Sequence, residues 1–137
     1  MRGARLLVLA IPLVAAACGG HSATPSSASS ATASQAAFKA TLIAPTHHPK
    51  VNVPWIYEIR VTDAAGHPIR AHVHIQILFG SSPVGQVGTH DFVGVWKEPK
   101  NAPLKWPAAS KGHPLVFEAI VTARGQTKKI DYPIEVE

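Results

Sequence analysis

The chain has 137 residues and a formal charge of +5, from 13 Lys and Arg against 8 Asp and Glu, with one Cys and one Met. That length holds one domain. A single Cys excludes an internal disulfide, and bases scattered along the chain, densest at Lys128-Lys129, exclude the clustered basic stripe of a nucleic-acid footprint. The N-terminus comes first in chain order. Met1 to Arg5 is a short basic start, and Leu6 to Ala17 is an apolar run of 12 residues interrupted by Pro12. A bilayer-spanning helix needs about 20 residues, so the run is too short to span. Charge, apolar stretch and the small residues Ala15-Ala16-Ala17 follow the order of a secretory signal over residues 1–17. Its removal takes Arg2 and Arg5 away and leaves 11 basic against 8 acidic side chains, a charge of +3.

The small residues directly before Cys18-Gly19-Gly20 resemble a bacterial lipoprotein signal. The resemblance implies cleavage before Cys18 and a covalent acyl lipid on its thiol. It places the protein at the extracytoplasmic face of the cell membrane, held by that anchor. Each buried CH₂ adds about 0.8 kcal/mol to such an attachment. Lipid also accounts for a lone thiol in an oxidising compartment. The other reading is an ordinary secretory signal with Cys18 as an incidental thiol.

Residues 18–37 follow as Gly, Ser, Ala, Thr and Pro with His21 and Gln35 and no large apolar side chain. Such a segment cannot offset its ordering entropy and is expected to be a disordered tether. A flexible chain of this length has an r.m.s. span of roughly 25 Å.

From Phe38 to Glu137 the apolar residues alternate with period two. Phe38 to Ile43 is a first strand. Trp55, Tyr57, Ile59 and Val61 form one face of a second, with Glu58, Arg60 and Thr62 opposite. Ala71, Val73, Ile75, Ile77 and Phe79 face inward against His72, His74, Gln76 and Leu78. A short strand is expected near Val84 to Val87. Phe92, Gly94 and Trp96 alternate through a strand from Thr89 to Lys97. Leu115, Phe117, Ala119 and Val121 form the next inward face, with Glu118 and Thr122 outside. Ile130, Tyr132, Ile134 and Val136 close the chain, and Pro133, which lacks an N–H, marks that strand as an edge or as bulged there. Turn residues separate the runs at Asp63-Ala64-Ala65-Gly66, Gly80-Ser81-Ser82-Pro83 and Arg124-Gly125-Gln126. No window has a helical period. About seven short strands in some 100 residues predict an all-β antiparallel sandwich over residues 38–137. Trp55 fits a core position. Trp106, between Lys105 and Pro107 in a loop, fits either the core or an exposed binding handle.

The passage Val61-Thr62-Asp63-Ala64-Ala65-Gly66-His67-Pro68-Ile69-Arg70-Ala71-His72-Val73-His74-Ile75 is similar to the strand-turn-strand passage of bacterial immunoglobulin-like domains. The matching positions are Asp63, Gly66, Pro68, Ile69, Val73 and Ile75. The resemblance implies an immunoglobulin-like sandwich acting as a spacer, an adhesion unit or a partner-binding module.

Seven of the eight His fall in the expected domain. His72 and His74 stand two apart on one strand and so share its outward face, about 6–7 Å apart. With a third ligand such a pair holds Zn²⁺ or Cu²⁺. Glu118 supplies that ligand if its strand lies beside that of His74, and His47-His48 is another source. Solvated polar decoration and a pH sensor are the other readings of these residues. His67, His90 and His113 read as solvated or capping positions.

Catalytic signatures are missing: there is no Gly-x-Ser-x-Gly, no His-Glu-x-x-His, no phosphate-cradling Gly loop and no Cys pair. Thr89-His90-Asp91 has triad residue types, but neighbours on a strand point to opposite faces and form no relay. The sequence therefore predicts a non-enzymatic, lipid-anchored envelope protein that needs no cofactor. Its sandwich is expected to bind another envelope protein or a wall polymer, with an extracytoplasmic Cu or Zn protein as the alternative.

Overall fold

A computed structural model describes residues 37–137. The signal, Cys18 and the tether up to residue 36 lie outside the described residues. Nine strands form among those described: β1 Phe38–Ile43, β2 Pro54–Trp55, β3 Glu58–Asp63, β4 Arg70–Phe79, β5 Ser82–Val93, β6 Val95–Lys97, β7 Leu104–Lys105, β8 Pro114–Ala123 and β9 Gln126–Glu135. They make a three-stranded sheet β1-β3-β6, a four-stranded sheet β5-β4-β8-β9 and a short ribbon β2-β7. Every strand pair is antiparallel. Three strands against four make the all-β antiparallel sandwich that the alternation predicts, with nine strands among the described residues where about seven were expected.

The inward residues of both sheets meet in one core. Phe38, Ile59 and Val61 from the first sheet join Val73, Ile75, Phe117, Ala119 and Val121 from the second, with Trp55, Tyr57 and Trp106 at one end. Each fully buried large apolar side chain contributes about 1.5–3 kcal/mol. With no disulfide, stability rests on this cluster. Among the described residues the members of this cluster run from Phe38 to Val136.

Three expected elements differ in the structure. The run from Trp55 to Thr62 is two strands. Trp55 pairs with Leu104 in the ribbon, while Ile59 pairs with Leu42 and Trp96 in the first sheet. The run from Thr89 to Lys97 also divides, because the chain changes sheets at Gly94. Its φ is +72°, it donates to the Ile69 carbonyl at 3.0 Å, and its own carbonyl accepts from the Val61 N–H at 2.7 Å. One residue thereby ties β3, the approach to β4 and the β5-to-β6 crossing together. The short strand near Val84 is instead the start of β5, a 12-residue edge strand. Val84 and Val87 are extra residues opposite β4, since the register steps from Pro83 to Gly85 and from Gln86 to Gly88. Such bulges bend an edge and discourage pairing with other chains.

Two turns follow their chemistry. Arg124 and Gly125 join β8 to β9, both with positive φ (51° and 72°), the backbone of a two-residue hairpin loop. The Asp63 carboxylate accepts from the Ala65 and His67 N–H groups, both at 2.9 Å, and fixes the β3–β4 turn. These bonds hold its carboxyl below the usual carboxylate range. The β9 edge, where Pro133 sits, is covered by the segment after β1. Glu135 N–H donates to the His47 carbonyl and Glu137 N–H to the Pro49 carbonyl, both at 2.9 Å. His47 also stacks on Tyr132 at 3.9 Å.

Candidate functional site

The outer face of the four-stranded sheet carries the two histidines in cross-strand rows. Register places Asp91, His72, Thr122 and Thr127 in one row and Thr89, His74, Ile120 and Lys129 in the next. His72 and His74 therefore share a face, as their spacing requires. Each ring is already engaged by β5: His72 Nδ1 lies 3.0 Å from Asp91 Oδ1, and His74 Nδ1 lies 3.1 Å from Thr89 Oγ1.

Glu118 lies on the strand beside that of His74, as the metal reading requires, but in a different cross-strand row. It stands opposite Gln76 and Asp131, one row beyond His74. Its carboxylate is buried and used: Gln76 Nε2 donates to Oε1 at 2.6 Å, and Lys129 Nζ lies 3.2 Å from Oε2. The β4–β8 register, which the sequence does not specify, is the reason. Among the described residues no group of three or more His, Cys, Asp or Glu is placed to hold a metal ion.

Trp106 is not an exposed handle. It is 1% exposed and meets Trp55 edge-on, with ring centroids 5.7 Å apart. The loop after β6 folds back over the end of the sandwich. Lys105 and Pro107 stay exposed while the indole between them enters the core. Trp55 is the hub of that end and also contacts Phe117 at 5.1 Å and Tyr132 at 6.0 Å.

A polar cluster lies where the edges of β5 and β6 approach each other. His90, expected as a solvated residue, points inward from β5 opposite Val73 and stacks on Trp96 at 3.7 Å. Gly88 makes room for it: a Cβ there would stand 2.9 Å from the imidazole. Burial lowers the His90 pKa, and the neighbouring Glu98 charge opposes that shift. Glu98 is buried beside Tyr57, whose pKa is raised first by burial and then by that charge. Hydrogen bonding to Glu98 raises the Tyr57 pKa further and hydrogen bonding to Trp96 opposes it, while the Trp106 indole N–H has no hydrogen-bond partner among the described residues.

A recess with a mostly apolar lining lies elsewhere on the described residues and was not anticipated from the sequence. Strand β4 has ten residues and β3 has six, so the inward positions Ile77 and Phe79 overhang the first sheet. Together with Leu115, Val84 and Gly85 they form one wall of a groove of about 380 Å³. Pro107, Ala109, Ser110 and His113 form the other, around the 3-10 turn Ala108–Ser110. Phe79 and Val84 are 49% and 60% exposed, and His113 lies edge-on to Phe79 at 5.9 Å. The lining is apolar apart from Ser110 and His113, and the volume falls in the range of small-ligand sites, about 300–1,000 Å³. The run Ala71 to Phe79 shows its inward positions in the sequence, but not which of them the opposing sheet leaves uncovered.

The groove and the chain entry lie at opposite ends of the sandwich. Phe38 pairs with Asp63 beside the start of β4 at Arg70, whereas the groove lies at the end of β4. Ten strand residues separate these ends by about 30 Å. No protein-family model matches the chain, and no curated protein matches it at a significant level.

Proposed function

We propose that the chain is a lipid-anchored envelope protein whose immunoglobulin-like sandwich is a non-enzymatic binding module. Cys18 carries the lipid, residues 18–37 form the tether, and the partner docks at the apolar groove. The observation that carries this reading is the place of the groove: exposed Phe79 and Val84 stand at the end of the domain opposite the entry of the tether. A tether attached near Phe38 leaves that end free to face away from the membrane. Apolar groups clustered at a recess mark interaction sites more often than scattered ones do.

Photo-crosslinking in the producing cells tests the reading. A crosslinking side chain at position 84 is expected to give one discrete adduct, lost when Ala109→Phe fills the groove. The same group at Thr89, on the outer sheet face, is expected to give none. Equal adducts from both positions, or none from position 84, contradict the proposal.

A further inference from the structure

We infer that the groove takes an anionic amphiphile with a single apolar chain; this rests on the proposal that the groove is the docking surface. The lining defines half of the chemistry. Ile77, Phe79, Val84, Pro107, Ala109 and Leu115 accept an apolar chain, and no carboxylate lines the groove. The closest acidic residue by register, Glu135 opposite Pro114, lines the adjoining groove instead.

Charge defines the other half. The segment from β6 to the start of β8, residues 97–113, carries Lys97, Lys100, Lys105 and Lys111 against one carboxylate, Glu98. Glu98 is buried, while all four lysines are exposed. Lys97 lies 3.7 Å from Glu58, but Lys100, Lys105 and Lys111 have no carboxylate within ion-pair distance among the described residues. Lys111 follows the lining residue Ser110 directly, and Lys105 precedes Pro107 by two. An apolar groove whose lining residues are followed in the chain by Lys111 and preceded by Lys105, with Ser110 and His113 as polar groups in the lining, complements an apolar chain that ends in a negative charge. A neutral chain leaves the lysines unused, and a cationic one is repelled by them. The modest volume suits one chain better than the paired chains of a bilayer lipid.

The test uses residues 19–137, which include every core residue among those described, titrated by calorimetry with decanoate and with decyltrimethylammonium. The two probes share an apolar chain and differ in headgroup sign. Decanoate is expected to bind one-to-one and about tenfold tighter than the cation, a difference of about 1.4 kcal/mol. Lys111→Glu is expected to erase that preference, and Ala109→Phe to weaken both probes by about tenfold. Both positions are exposed, so an unchanged thermal midpoint in these variants confirms that folding is intact. Equal binding of the two probes, unaffected by Lys111→Glu, overturns the anionic class and leaves the groove standing as a docking surface. Binding of neither probe overturns the ligand, and the crosslink at position 84 then decides the docking surface separately. A dimer in sedimentation that Ala109→Phe dissociates makes a second copy the occupant, which also overturns the inference.

Discussion

Gly94→Ala is expected to lower the thermal midpoint of the sandwich by roughly 10–20 °C, the equivalent of about 2–4 kcal/mol in a domain of this size. Two costs combine. The backbone sits at φ +72°, where a side chain is strained by about 1–2 kcal/mol. The new Cβ would also stand 2.6 Å from the Pro68 Cβ, and that contact cannot relax freely. Pro68 is held in the β3–β4 turn, while Gly94 is held by its bonds to Val61 and Ile69. Gly66→Ala separates the two costs. Gly66 has φ +91° but nothing within 4 Å of a new Cβ, so it bears only the conformational cost. Thermal melts of both variants provide the comparison. Equal losses at the two sites contradict the role of Gly94 as the packed crossing between the sheets.

Trp106→Ala is expected to cost about 3–5 kcal/mol, the usual range for removing a large buried aromatic. The ring is 1% exposed and packs against Trp55, so its removal leaves a cavity at the end of the core. Trp106→Phe is expected to cost roughly half as much or less, because it keeps most of the packing and removes an indole N–H with no hydrogen-bond partner among the described residues. Urea denaturation of the three proteins measures both values. A loss below about 1 kcal/mol for the alanine variant, in the range of ordinary surface substitutions, contradicts burial of Trp106.

Much of the sandwich is legible from alternation alone. β1 runs from Phe38 to Ile43 as its residues indicate, and β8 buries Leu115, Phe117, Ala119 and Val121 as the pattern requires. Pro133 marks an edge because it lacks an N–H, and β9 is the edge strand. Facing is a local property, so His72 and His74 also fall on one surface. Features that depend on pairing are not local. Glu118 falls opposite Gln76 and not opposite His74 because of a register between residues 42 apart in the chain. The division of Thr89–Lys97 depends on Gly94 meeting Pro68, a contact that period-two alternation does not encode. Trp106 lies in a loop of Lys and Pro, and only the return of that loop over Trp55 buries it. The groove arises from a mismatch in strand length between the sheets, which appears only once β3 and β4 are known to face each other.

The orientation of the groove depends on Cys18 as the attachment point, and one measurement addresses it. Wild-type protein and Cys18→Ser are expressed in a bacterial host, separated by detergent phase partition and weighed by intact mass spectrometry. The account predicts wild type in the detergent phase, beginning at Cys18 and carrying the added mass of acyl chains, with Cys18→Ser in the aqueous phase. A wild-type protein of unmodified mass in the aqueous phase would contradict it.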